Sequence, residues 1–172
     1  MQVMKRLVIL WMMILTPAIA SAQSDTDSNV VWDVTKAVIF DPTTYAPAVM
    51  SYTSTKMDWD SSQTLFRNGW VEQNHRFTIS GRPNDLPVSY AEGNRRIRHM
   101  AFLHLQESLI NNVAANVFER VLADKYPQHR KVFKVLSWVE RIAFASYVSY
   151  VASEGHFRQT GRNRQLAIQF GY

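Results

Sequence analysis

Apolar residues recur every three or four positions over most of this chain, the spacing that lines one face of an α-helix. The pattern is clearest after Ser89, where Ile97, Ala101, Leu105, Leu109, Val113, Val117 and Val121 fall four apart, with Phe102, Ile110, Phe118 and Leu122 beside them. Ser89 and Glu92 stand three apart ahead of that run, the two halves of a capping box, so a helix is predicted from Ser89 to Lys125. Tyr126-Pro127 ends it, because the residue before a proline is pushed out of the α region. A further helix is predicted from Gln128 onward, carried by Val132, Val135, Leu136, Val139, Ile142 and Ala143. Between Leu136 and Ala152 it is apolar on nearly every side, which predicts a place at the centre of the domain, while Glu140 and Arg141 argue against a membrane span. Gly155 and Gly161 are expected to kink or end it. Joined at Pro127, the two helices make a long antiparallel hairpin, each arm about 50 Å at roughly 1.5 Å per residue.

Upstream, Val30 to Phe40 is helix-compatible and stops at Asp41-Pro42. A second helix is predicted from Thr44 to Asn68, with Pro47 tolerated in its first turn, Gly69 as the left-handed residue beyond its end, and Asp60-Ser61-Ser62 as a break and recap. Val31, Val38, Tyr45, Tyr52, Trp59 and Phe66 are spaced seven apart, a stripe expected to dock aromatic rings on another helix. Val34, Val49, Lys56 and Gln63 at the intervening positions are too mixed for a self-sufficient coiled coil. Residues 70–88 read as an irregular connection: Arg76 to Ser80 alternates briefly like a strand, and Gly81-Arg82-Pro83-Asn84-Asp85 is a cluster of turn residues. The whole predicts an all-α, four-helix-like arrangement built on the hairpin.

The first residues change the picture of where this domain works. Lys5 and Arg6 precede an unbroken apolar run from Leu7 to Leu15, then come Pro17 and the small residues Ala20-Ser21-Ala22, the three parts of a secretory signal. The run is shorter than the roughly 20 apolar residues a membrane span needs. The expected organisation is therefore a signal peptide over residues 1–22, a polar disordered leader over 23–29 and a single helical domain over 30–172, with no transmembrane span once the signal is cleaved. Cleavage removes two cations and no acid, so the formal charge of +5 falls to +3, mildly basic and without the clustered stripe of a nucleic-acid binder. There is no cysteine and no Asn-x-Ser/Thr acceptor, which suits a bacterial periplasmic or secreted protein whose stability comes from packing alone.

Candidate chemistry is sparse. Pairing about Pro127 sets His104 near Glu154, His99 near His156 and Gln159, Glu107 near Val151, and Asn111 and Asn112 near Ser146. Histidines beside carboxylates suit metal binding or proton transfer, so His99, His104, Glu107, Glu154 and His156 are candidate metal ligands. The His-x-x-Glu spacing occurs once, against the two Glu-x-x-His copies of bundle metal sites, and solvated side chains are the plainer reading. Arg95, Arg96, Arg98, Arg158, Arg162 and Arg164 converge at the open end of the hairpin, a candidate contact for an anionic partner. Glu119-Arg120 and Glu140-Arg141 face each other, either as crossed pairs that fix the register of the hairpin or as solvated surface pairs of little worth. No nucleophile elbow, cysteine nucleophile or phosphate-cradling loop is present, and acids such as Asp58, Asp60, Glu72 and Asp85 are of the kind every soluble chain carries. Leu166, Ile168, Phe170 and Tyr172 alternate like the last strand of an outer-membrane barrel, but the helical pattern leaves no room for the other strands. The sequence thus points to an exported structural or protein-interaction module of the bacterial cell envelope, without a cofactor, whose partner is another envelope protein or an anionic envelope component and not nucleic acid. The alternative is a small periplasmic enzyme or metal-binding protein using the His/Glu cluster.

Overall fold

The structure is a computed structural model that describes residues 27–172, so the predicted signal segment and residues 23–26 of the predicted leader lie outside the described residues. Four α-helices make up the described chain: α1 (Asp27–Ile39), α2 (Ala46–Arg67), α3 (Tyr90–Lys125) and α4 (Arg130–Gln169). Short 3₁₀ turns at Pro42–Thr44, His75–Phe77 and Pro127–His129 lie between them. The fold is all-α, as the periodicity predicts. No helix among the described residues is long and apolar enough to cross a membrane.

Most helix ends follow the local chemistry. The Ser89 hydroxyl accepts a hydrogen bond from the Glu92 N–H at 3.2 Å, as the capping pattern predicts. Pro47 sits in the first turn of α2, and Gly69 follows its end at φ +84°, a left-handed conformation that favours glycine. Other expectations are corrected. Helix α1 starts at Asp27, so the last three residues of the predicted leader are helical. Helix α2 passes through Asp60-Ser61-Ser62 unbroken, because the Ser61 and Ser62 hydroxyls donate back to the Asp58 carbonyl (both 2.9 Å) instead of capping a new start. Helix α4 continues through Gly155 and Gly161 to Gln169; both glycines lie in open space and cost it only propensity. The connection at 70–88 is irregular as predicted, and the strand-like stretch amounts to two isolated antiparallel bridges, Glu72 to Asp85 and Thr78 to Pro87.

The chain divides into two compact units: residues up to Thr44 with Ser108–Phe144, and Tyr45–Glu107 with Ala145–Tyr172. In the first unit, Val34 and Val38 of α1 are buried, as are Ala114 and Ala115 of α3. The α1–α2 connection is held by polar contacts. Asn112 of α3 donates to the hydroxyls of Thr43 (2.9 Å) and Thr44 (2.7 Å), and Thr44 donates to the Val38 carbonyl. Arg141 of α4 lies 3.0 Å from Asp41 as an ion pair, at an angle that is not a hydrogen bond. Ser137 of α4 donates to the Ala115 carbonyl at 3.2 Å, and Asn111 donates to Glu140 at 3.4 Å.

The second unit is centred on Trp59 of α2, which is buried with Phe77 and Ile97 and flanked by Phe66, Val88 and Met100. Its ring stacks on Phe77, with centroids 5.2 Å apart. Against Trp59 lies Gly93 of α3. A Cβ on Gly93 would fall 2.3 Å from the indole, so only glycine permits this approach.

Two sequence expectations about packing are overturned. The seven-spaced stripe is not the docking face: of its members only Val38 and Trp59 are buried, and Tyr45 and Tyr52 are exposed. The buried face of α2 is instead Pro47, Ser51, Ser54, Thr55, Trp59, Ser62 and Leu65, in which small side chains surround the one indole. Nor is Leu136–Ala152 central. Leu136, Trp138, Val139, Tyr147, Tyr150 and Val151 are all exposed, while Ser137, Ala145 and Val148 face inward.

Gly93→Ala is expected to destabilise the protein by about 2–3 kcal/mol, because the added methyl overpacks against an indole that cannot retreat from Phe77. Urea denaturation followed by Trp fluorescence measures it, and an unchanged midpoint counts against the contact.

Candidate functional site

Two features among the described residues combine polar chemistry with space, and each lies within one unit. In the second unit, Asp58 on α2 meets α4. Its Oδ2 accepts from His156 Nδ1 at 2.8 Å, and its Oδ1 accepts from Asn163 Nδ2 at 3.1 Å. Asn163 also donates to Ser62 (2.8 Å) and Ser61 (3.1 Å), and its own carbonyl accepts from Gln159 at 2.9 Å. Glu72, from the irregular connection, lines the same place beside Asn74 and Phe77. Burial pushes the Glu72 carboxyl above the usual range, against a lowering hydrogen bond from the Asn74 backbone, and the nearby Asp58 charge adds to the rise.

A carboxylate orienting an imidazole, with a second acid of raised pKa nearby, is a combination that performs acid–base catalysis when substrate has room to enter. Here the cavity between Thr55, Asp58, Ser62 and Glu72 holds about 10 Å³, on the order of one water. The two serine hydroxyls are already engaged with the Asp58 carbonyl and with Asn163. The arrangement therefore fastens α2 to α4 and has no place for a sugar or acyl group.

In the first unit an open groove of about 190 Å³ runs between α3 and α4. Ala114, Ala115, Phe118 and Leu122 form one wall, Phe133 and Leu136 the other, and Asn111, Ser137, Glu119 and Glu140 supply polar groups. Burial raises the Glu140 pKa, opposed by the Asn111 hydrogen bond and by the Arg141 charge. Arg141 turns toward Asp41 (3.0 Å) and Glu119 (4.0 Å), and Arg120 toward Asp33 (3.8 Å). One of the two predicted cross-pairs, Glu119 with Arg141, thus forms; Glu140 and Arg120 find other partners.

Of the five residues predicted as metal ligands, only His104 and Glu107 are brought into contact. His104 Nδ1 lies 3.2 Å from Glu107, its neighbour on the same helix face. Glu154 binds Arg158 at 2.8 Å, His156 binds Asp58, and His99 is exposed. Among the described residues no three His, Asp or Glu side chains converge on a point where a metal ion would sit. Asn111 meets Glu140 and Asn112 meets the threonines of the α1–α2 connection, not Ser146, because that connection supplies hydroxyls that pairing about Pro127 leaves out. Of the predicted anion-contacting arginines, Arg95 and Arg96 both clasp Glu92 (2.7 and 2.8 Å), whose carboxyl they hold down at about 2. Arg96 also donates to the Arg76 carbonyl at 2.7 Å. Arg98, Arg162 and Arg164 are exposed. Asp58, Glu72 and Asn163 carry no local signal, since their partners lie in other elements.

No protein-family model, curated protein or solved structure matches this chain.

Asn163→Ala removes the donor shared by Asp58, Ser61 and Ser62 in a buried setting, and a loss of about 1–3 kcal/mol is expected in urea denaturation. For Glu140, the folded chain holds the carboxyl proton more tightly than the unfolded chain, whose value is near 4.5. That contribution to stability is full below the unfolded value and is lost as pH rises through the raised one. Glu140→Gln is therefore expected to raise Tm at neutral pH and to leave it nearly unchanged well below pH 4.5. Scanning calorimetry across that range checks the sign.

Proposed function

We propose that this protein is an exported interaction module of the bacterial cell envelope, periplasmic or secreted, which docks another envelope protein through the α3/α4 groove of its first unit. One observation carries the reading: the usual partition of side chains is inverted. Small and polar groups, among them Ser108, Asn112, Asn116 and Ser137, are buried in that unit, while Ile110, Val113, Val132, Leu136 and Val139 are left exposed. Leu136 on the groove wall is 58% accessible. Exposed apolar surface on this scale marks contact with another molecule. An open groove with aromatic walls and a few polar groups at hand suits the apolar face of a partner helix. The signal-like N-terminus and the absence of cysteine support the location.

Two measurements test the proposal. Fractionation with N-terminal sequencing is expected to find the protein outside the cytoplasm and beginning at Gln23; a cytoplasmic chain that retains residues 1–22 overturns the location. A photo-crosslinking residue at Val139 is expected to capture one defined envelope protein, and Leu136→Asp to abolish capture while helicity and Tm stay close to wild type. Capture that survives Leu136→Asp overturns the groove.

A further inference from the structure

The turn between α3 and α4 carries cations that nothing else in the first unit explains. Lys125 closes α3, and Arg130, Lys131 and Lys134 open α4; all four are exposed, with Asp124 the one acid between residues 124 and 138. None of the four has a carboxylate within salt-bridge distance among the described residues, although Lys125 lies over the Tyr126 ring at 5.6 Å. The placement of Arg130 and Lys131 in the first turn of α4 is unfavourable in isolation. The first turn of α4 has no acid, and the positive end of a helix dipole repels cations there. The arginines of the predicted anion site differ: Arg95, Arg96 and Arg158 are already paired with Glu92 and Glu154, and Arg162 and Arg164 lie far from the N-terminal end of α4.

Spacing adds a second observation. Lys131, Lys134, Val135 and Trp138 stand at i, i+3, i+4 and i+7 and so form one face of α4. Val135 is 58% and Trp138 57% accessible. Lysines beside an exposed aliphatic residue and a tryptophan suit an anionic bilayer: the ammonium groups meet headgroup phosphates, and the indole, apolar with one N–H, enters the interface. The same negative surface relieves the dipole repulsion.

We infer that the α3/α4 turn is a docking surface for an anionic phospholipid bilayer, with Lys131 and Lys134 as headgroup contacts and Trp138 as the inserted anchor. The inference rests on the envelope location proposed above but not on the groove. Purified vesicles test it independently of both cell fractionation and partner capture. The purified protein is floated with vesicles of phosphatidylglycerol and phosphatidylcholine, or phosphatidylcholine alone, at low and high salt. Flotation only with phosphatidylglycerol, weakening as salt rises, is expected. Loss of two lysines in Lys131→Gln/Lys134→Gln is expected to weaken partition about 30-fold, from about fivefold per charge. Trp138→Ala is expected to weaken it at both salt concentrations, and Arg162→Gln/Arg164→Gln to leave it within about twofold of wild type. Since all of these side chains are exposed, circular dichroism should show unchanged helicity. Failure to float with phosphatidylglycerol at low salt overturns the inference, as does equal loss in the two double variants. Binding to a soluble acidic polysaccharide without vesicle binding assigns the lysines to another polyanion and overturns it equally.

Discussion

The second unit depends on how closely the indole of Trp59 approaches the backbone of α3 at Gly93. Once the ring lies there, Phe77 stacks on it and draws the irregular connection against the helices, and Ile97 closes the cluster one turn along α3. The indole N–H is buried without an acceptor among the described residues. An unmet buried donor costs about 1–3 kcal/mol, which the packing of three aromatic rings and their aliphatic neighbours offsets. With Trp59 set, Asp58 and Ser62 beside it on α2 meet α4, so one helix organises both of its neighbours within the unit.

Elsewhere the interior is assembled from small polar side chains whose hydrogen bonds are met in place. Asn112, Thr44, Ser137 and Asn163 each reach a specific partner, and Thr44 and Asn112 are almost wholly buried. Such contacts add little net stability individually, but an amide shifted by one residue loses its acceptor, so they tie the helices to one register. The large apolar side chains that would ordinarily supply adhesive energy point outward. The surface left by this exchange supports both proposals: an apolar groove for a protein partner and a cationic, tryptophan-bearing turn for a membrane.

Helix boundaries were legible in the sequence because they are local. Pro127, the Ser89–Glu92 pair and Gly69 act within a few residues of themselves, and each marks a real end. The facing of the helices was not legible. Periodicity identifies a repeated face, and for α2 two patterns repeat, one of aromatic residues at sevens and one of serines at threes and fours, with Trp59 common to both; only partners distant in sequence, Gly93 for Trp59 and Asn163 for Ser62, decide which turn inward. Leu136–Ala152 misled for the same reason, since hydropathy ranks tyrosine, valine and leucine as core while the neighbours demanded serine and alanine. The candidate site was legible least. The partner of His156, Asp58, lies 98 positions away, and three of the six predicted arginines, Arg95, Arg96 and Arg158, have carboxylates on their own helices three or four residues off.

An interior of serines, threonines and asparagines also shapes how the protein responds to temperature. Unfolding raises heat capacity in proportion to the apolar surface newly wetted, and wetting polar surface lowers it. A fold that already exposes many of its large apolar side chains and hides amides and hydroxyls has little of the first and much of the second. Its free-energy curve is accordingly expected to be broad and shallow, without the steep thermal signature that apolar burial gives.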